Sequence, residues 1–130
     1  MQVAGADVVW IQGTGAETRD FLHVDDVARA TLDILSRRLG AAPTGHAEIV
    51  NVASGDEISV LELAELVRTI VGSSKPIACR GVERPGDPRR WRADVTRLTA
   101  LLSPWRPRPA RSTLPECIAA WQRGIGRDSP

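Results

Sequence analysis

The stretch 19–27 constrains the fold more than any other part of this sequence. It reads Arg-Asp-Phe-Leu-His-Val-Asp-Asp-Val. Its apolar residues favour a β-strand. The two aspartates after them can accept hydrogen bonds from the free N–H groups in the first turn of a helix. We therefore predict a strand that leads directly into a helix over 26–39, capped by Asp25 or Asp26, with a structural role for His23.

The remaining sequence predicts further short strands that alternate with helices. Strands are expected at 8–11, 48–52 and 76–79, because these runs are apolar and rich in β-favouring residues. Three more helices are expected, each beginning near a residue that can cap it: Ser59 to about 71, Asp94 to 102, and Thr113 to about 124. The segment 80–92 is rich in Arg, Pro and Gly and is predicted to be a loop. About four helices with short strands indicate an α/β fold.

Positive charge is concentrated in one part of the chain. Residues 80–111 contain nine arginines and three carboxylates, a net of +6, whereas residues 1–79 carry six basic and eleven acidic groups, a net of −5. Arginine without lysine favours specific, bidentate contacts with anions over a diffuse positive surface. A nucleic-acid surface that includes Trp91 and Trp105 is therefore conceivable, but the balanced total charge of +1 and the interrupting prolines argue against nucleic acid as a partner.

Other classes of protein and site are not supported by the sequence. It has no run approaching the ~18 apolar residues of a membrane span, so no membrane contact is expected and a cytoplasmic location is the default expectation. Cysteine and histidine do not occur at metal-ligand spacing, so no metal site is expected. The length of 130 residues corresponds to a single domain.

Four motifs occur in an order and spacing that resemble one family. They are Gly13-Thr14-Gly15 followed by the stretch 19–28, Asn51-Val52-Ala53-Ser54-Gly55, the segment 59–64, and Arg84-Pro85-Gly86-Asp87 with Asp94 beyond it. Over about 5–125 the chain resembles the C-terminal half of an extended short-chain dehydrogenase/reductase, one of the NAD-dependent nucleotide-sugar epimerases and dehydratases. The resemblance implies a partial Rossmann-type fold over 1–130, which is the substrate-binding part, with the N-terminal cofactor-binding half absent.

The resemblance also implies a set of substrate-binding residues. Arg19 and Arg84 match arginines that bind the diphosphate of a UDP- or dTDP-sugar, and two guanidiniums from separate loops can clamp a diphosphate. Asp87 matches a carboxylate that accepts the ribose hydroxyls, and Trp91 lies where relatives carry an aromatic near the base. Asn51 matches a residue near the substrate.

Each of these residues also has a purely structural interpretation. Arg19 can pair with a neighbouring carboxylate such as Asp20, and Asp87 can form the turn within 85–88. Trp91 can cover the core. Asn51 can satisfy the turn into Ser54-Gly55, and we favour this interpretation for Asn51 because asparagine readily bonds to nearby backbone.

The catalytic residues of the resembled family are missing from this sequence. A dinucleotide fingerprint would need a third glycine at position 18, where the chain has threonine, so Gly13-Thr14-Gly15 is predicted to be only a turn. The family's Tyr-x-x-x-Lys pair has no counterpart, since the chain contains no tyrosine. We expect no catalytic residue and no cofactor bound by this chain alone, although NAD(P) is implied for the complete family enzyme.

Two functions follow from this pattern. The first is a nucleotide-sugar-binding segment that is not catalytically competent alone and that works with a separate chain carrying the Rossmann half; whether the chain is itself an enzyme stays open. The alternative is a non-catalytic oligomerisation or interaction module that keeps the fold without the ligand. In both cases the helix over 26–39 and the strand over 48–52 would lack packing partners, and the resulting apolar surface makes a homo-oligomer the expected state.

Overall fold

The structure, a computed structural model, describes residues 7–39, 48–83 and 85–125. In chain order its elements are β1 (Val9–Ile11), β2 (Thr18–Arg19), α1 (Val24–Leu39), β3 (Ile58–Ser59), α2 (Val60–Ile70), β4 (Ile77–Cys79), β5 (Arg90–Trp91), α3 (Thr96–Leu102) and α4 (Ala110–Ile125). The predicted α/β fold with short strands and about four helices is confirmed. No helix in the described ranges is long and apolar enough to cross a membrane.

The strands form two small sheets. In the first, β1 and β4 run parallel with Val9 opposite Ile77. In the second, β2 lies in the centre, antiparallel to β3 and parallel to β5. The strand β2 therefore holds together segments that are distant in sequence, and Arg19 occupies one of its two positions.

Helix α2 forms as its sequence predicts. The Ser59 hydroxyl accepts a hydrogen bond from the N–H of Glu62 at 3.1 Å, which satisfies one of the free donors of the first turn. The helix ends at Ile70, and Gly72 follows with a φ of +67°, a backbone conformation that glycine adopts without strain. A local signal at each end is thus sufficient to define this element.

The main core lies between α1 and α3. Ala30, Leu98 and Leu102 are fully buried there, and Val50 and Val52 pack against them. Asp94 accepts a hydrogen bond from the N–H of Thr96 at 2.9 Å, as a carboxylate at the start of α3 is predicted to do. The pKa of Asp94 is lowered by its hydrogen bonds to Thr96, from the side chain first and then from the backbone N–H.

Two predicted strands do not form. Helix α1 begins at Val24, so the residues expected to precede it as a strand are irregular or helical, and 48–52 is irregular as well. A strand needs a neighbouring backbone to accept and donate its hydrogen bonds. Within 7–39, 48–83 and 85–125 no strand pairs with either segment. The apolar pattern predicted two strands, but Val50 and Val52 are only partly buried against the core and Ile49 is exposed. A local pattern cannot supply the neighbouring strand.

The predicted cap of α1 is also wrong, although Asp26 and His23 are structural. The Nδ1 atom of His23 accepts from the N–H of Asp25 at 3.1 Å. The buried carboxylate of Asp26 instead accepts from the N–H and the Nε of Arg108, both at 3.0 Å. This ion pair joins the first turn of α1 to the segment before α4, a contact that no local pattern indicates.

The prediction placed the start of the last helix too late. Helix α4 begins at Ala110, three residues before the predicted cap Thr113, which is buried inside the helix. The carboxylate of Glu116 accepts from Nη1 of Arg108 at 3.0 Å instead of completing a capping box. The predicted loop 80–92 is interrupted as well, because Arg90 and Trp91 pair with β2.

Candidate functional site

Three of the five predicted substrate-binding residues lie together, where β2 meets β5. In the parallel pair of strands, Arg19 is the register partner of Trp91. The Arg19 guanidinium lies 5.9 Å from the centre of the Trp91 ring, and its Nη2 forms an ion pair with Asp87. We call these three residues the Arg19 cluster. It combines a cation, an acceptor and an aromatic face.

The backbone around Arg19 fixes the position of its guanidinium. Its Nη1 donates to the carbonyl oxygens of Thr18 at 2.8 Å and of Pro88 at 2.9 Å. With the bond to Asp87, these contacts within the described residues occupy three of the five N–H groups that an arginine carries. The side chain is 21% exposed. A preorganised guanidinium with free N–H groups can bind an anion at a small cost in side-chain entropy.

The predicted structural alternative for Arg19, an ion pair with a carboxylate, is formed with Asp87 and not with the suggested Asp20. Asp20 instead organises the backbone beside the site. Its Oδ1 accepts from the N–H of Ser54 at 2.9 Å, and its Oδ2 accepts from Gly55 at 3.0 Å and from Ala93 at 3.2 Å. We call this set of contacts the Asp20 junction. Sequence reasoning missed it, because the three N–H groups belong to loops distant from Asp20 along the chain.

Two further hydrogen bonds stabilise the Asp20 junction. The Nε of Arg92 donates to the carbonyl oxygen of Gly55 at 2.6 Å, and the Ser54 hydroxyl donates to Asp20. Because Asp20 follows Arg19, and Ala93 lies two residues after Trp91, these bonds hold both sides of the Arg19 cluster in register.

Asn51 lies apart from the Arg19 cluster. Its Nδ2 donates to the carbonyl oxygen of Asp94 at 3.1 Å, beside a cleft of about 360 Å³ lined by residues 92–96. The favoured structural interpretation named the wrong partner, since the turn at Ser54-Gly55 is satisfied by Asp20. No contact among the described residues connects Asn51 with Arg19, Asp87 or Trp91. Arg84 lies outside the described residues, so its role stays a prediction.

The glycine turn before β2 encloses a carboxylate. Gly13 and Gly15 have φ values of +88° and +82°, and a Cβ at Gly13 would lie 2.7 Å from Oε1 of Glu17. The Glu17 carboxylate accepts from the N–H of Thr14 at 2.9 Å and of Gly15 at 2.8 Å. These hydrogen bonds stabilise the charged carboxylate and lower the pKa of Glu17 to about 2, and the bond from the Thr14 N–H has the largest effect.

This geometry bears on the binding of a dinucleotide. In a dinucleotide fingerprint the N–H groups of the glycine turn bind the pyrophosphate at the start of a helix. Here the N–H groups of Thr14 and Gly15 bind Glu17, and β2 follows. The residues of this turn do not fit a dinucleotide pyrophosphate. Among the described residues, no group of His, Cys, Asp and Glu could hold a metal ion.

Comparison with known proteins finds similarity to one family. Residues 1–53 match the model of the NAD dependent epimerase/dehydratase family. The chain is 38% identical over 107 residues to GDP-L-fucose synthase 1 from Arabidopsis thaliana, a match that covers 82% of this chain and 30% of the relative. It is 35% identical over 121 residues to dTDP-4-dehydro-6-deoxy-D-allose reductase from Streptomyces bikiniensis, covering 92% of this chain and 33% of the relative. The chain is thus a partial match to the NAD-dependent epimerase/dehydratase family.

A solved structure shares the fold. UDP-glucose 4-epimerase from Thermotoga maritima, determined with UDP-glucose, aligns with a TM-score of 0.73 and 26% identity, covering 92% of this chain and 36% of the other. The chain thus spans about a third of the length of the relatives it matches. The resemblance to extended short-chain dehydrogenases is confirmed, as is the partial Rossmann-type fold.

Proposed function

We propose that this chain is the nucleotide-sugar-binding part of an epimerase/dehydratase-like protein. The observation that carries the proposal is the Arg19 cluster, in which a fixed guanidinium, a carboxylate and an exposed indole face lie at one edge of β2 and β5. The family match and the solved relative with UDP-glucose support a nucleotide-sugar as the ligand. UDP- and dTDP-sugars are the ligands we propose.

In this proposal, each residue of the Arg19 cluster binds a different part of the ligand. The N–H groups of Arg19 that remain free bind the diphosphate through charge-assisted hydrogen bonds. The free oxygen of Asp87 accepts from the ribose hydroxyls, and Trp91, which is 62% exposed, stacks on the base. Arg84, three residues before Asp87 in the sequence, supplies a second guanidinium to the diphosphate. Asn51 contributes to binding of the ligand from the cleft that residues 92–96 line.

The chain does not catalyse the family's redox reaction by itself in this proposal. It contains no tyrosine that could act as the base. In the turn at 13–17, the backbone N–H groups donate to the carboxylate of Glu17 and are not available to a pyrophosphate. Catalysis then needs a second part that supplies NAD(P) and the Tyr/Lys pair. Our proposal therefore separates substrate binding, in this chain, from cofactor chemistry.

Calorimetric titration with UDP, dTDP and GDP tests the proposal. We expect saturable binding of UDP or dTDP, and Arg19→Ala should weaken it about 10- to 100-fold, the value of one charge-assisted hydrogen bond network. Arg68→Ala is the matched control, because Arg68 is also a half-buried arginine paired with a carboxylate but lies on α2. Binding should also quench the fluorescence of Trp91, and this change should disappear in Trp91→Phe.

A folded protein that binds none of these nucleotides would contradict the proposal. Circular dichroism establishes that each variant is folded before the titration. Equal loss of binding in Arg19→Ala and Arg68→Ala would also count against it, because the effect would then reflect charge alone. The alternative function, an interaction module without ligand, is favoured by a separate observation, the exposed apolar face of α1.

A further inference from the structure

An apolar cleft lies between α2 and the two-stranded sheet of β1 and β4. Its volume is about 320 Å³. One wall is a face of α2, whose apolar lining residues stand at positions 60, 63, 64, 67 and 71. This recurrence every three or four residues is that of one side of a helix. The opposite wall is formed by Val9 and Ile77, which are register partners in the sheet.

The apolar walls of this cleft are only partly covered. Val9 is 44% exposed and Val71 is 43% exposed, and the other apolar lining residues are half-buried. The strands β1 and β4 have three residues each, and only alternate residues of a strand point to one side of a sheet. The sheet therefore offers few side chains to α2. An apolar group that enters the cleft is removed from water, which is favourable.

One end of the cleft is positively charged. Arg68, in the last turn of α2, and Lys75, two residues before β4, line it together with Ser73. The turn between them is held by two hydrogen bonds. The N–H of Ser73 donates to the carbonyl oxygen of Arg68 at 3.0 Å, and the Ser73 hydroxyl accepts from the N–H of Lys75 at 3.2 Å. The described residues that line the cleft include two cations and no carboxylate.

Both cations already have a partner on the protein surface. Arg68 pairs with Glu65, and Lys75 pairs with Asp7. These carboxylates are exposed, Asp7 by 81%, and neither is among the described lining residues. Exposed ion pairs contribute little to stability, and an ammonium carries three N–H groups and a guanidinium five. Each cation can therefore donate to an anion inside the cleft as well.

We propose that this cleft binds a small amphipathic anion, a carboxylate with an unbranched apolar chain. The chain of the ligand lies between α2 and the sheet, and its carboxylate accepts charge-assisted hydrogen bonds from Arg68 and Lys75. The volume of about 320 Å³ is near the lower end of the range of roughly 300–1,000 Å³ for small-molecule sites, so the ligand is small. The proposal does not depend on nucleotide binding, because the described lining residues include no member of the Arg19 cluster.

Calorimetric titration with decanoate tests this proposal. Decanol and decyltrimethylammonium are the matched probes, because they carry a similar chain with a neutral or a cationic head. We expect saturable binding of decanoate and at least about 10-fold weaker binding of the other two. Arg68→Gln and Lys75→Gln should each weaken decanoate binding about 10-fold. Arg29→Gln is the control, since Arg29 is an exposed arginine on α1, and it should leave decanoate binding unchanged.

Ala64→Leu tests the apolar walls. The larger side chain occupies part of the cleft, and leucine is, like alanine, a good helix former. We expect decanoate binding to weaken at least about 10-fold, because the volume left for the chain of the ligand is smaller. The circular dichroism spectrum should stay that of the unsubstituted protein, which shows that the loss does not come from unfolding.

A folded protein that does not bind decanoate would overturn the proposal. Equal affinities for decanoate and decanol would do the same, because the cationic end of the cleft would then have no role. Equal weakening by Lys75→Gln and Arg29→Gln would also count against it, since the effect would reflect the total charge. Light scattering gives the mass of the protein in solution. A dimer that Ala64→Leu dissociates would assign the cleft to a second copy of this chain and contradict the proposal.

Discussion

The Asp20 junction and the apolar side of α1 differ in how completely this chain satisfies them, although only a few residues separate them in sequence. The apolar side of α1 consists of Val24, Val27, Leu32 and Leu35. At the junction, one carboxylate accepts three backbone N–H groups from two distant loops. On the apolar side of α1, all four of these side chains are exposed. The comparison indicates that this chain satisfies the polar groups of the junction with its own contacts, whereas it leaves these apolar side chains exposed.

The largest loss of stability should come from removing the buried contact between Asp26 on α1 and Arg108. Asp26→Ala removes the buried acceptor of both the backbone N–H and the Nε of Arg108. We expect a loss of about 3 kcal/mol in the free energy of unfolding, because two donors in a part-buried site then lack their acceptor. Glu116→Ala is the control, since Glu116 also contacts Arg108 but is exposed; about 0.5 kcal/mol is expected. Urea denaturation measures both. Equal losses would mean that burial of Asp26 has no special role.

A smaller but substantial effect is expected at the Asp20 junction. Asp20→Ala leaves the N–H groups of Ser54, Gly55 and Ala93 without their acceptor, which should cost about 2 kcal/mol of unfolding free energy. Asp20→Asn keeps one oxygen acceptor and should recover part of the loss. The control Asp33→Ala, on α1, should stay within about 0.5 kcal/mol of the wild-type protein. If Asp33→Ala costs as much as Asp20→Ala, the contrast between the two regions is lost.

The third expected effect is a dependence of stability on pH at the glycine turn before β2. The pKa of Glu17 is lowered from 4.5 to about 2 in the folded protein. The stability that this carboxylate contributes is therefore fully present above pH 4.5 and is lost as the pH falls from 4.5 towards 2. In Glu17→Gln the urea midpoint should depend less on pH over this range. Identical pH profiles for the two proteins would show that the bonds from Thr14 and Gly15 do not stabilise the charged form.

The candidate site was predicted in part from the sequence. Arg19, Asp87 and Trp91 were named from their motifs, and the structure brings them together, although their role in binding stays a prediction. The sequence suggested Asp20 only as a partner for Arg19. Its role as an acceptor depends on the loops at 54–55 and 93, which only the tertiary structure places beside it. The strand β5 was missed for the same reason, since a two-residue strand exists only through its partner.

The sequence by itself determined the elements whose signals are local. The cap at Ser59, the glycine after α2, and the turn at Gly13-Thr14-Gly15 follow from contacts between residues a few positions apart. Only the tertiary structure decided where a carboxylate finds its donors and whether an apolar segment becomes a strand. Asp26 binds Arg108, 82 positions away, and 48–52 forms no ladder because a strand needs a partner that no local pattern can supply.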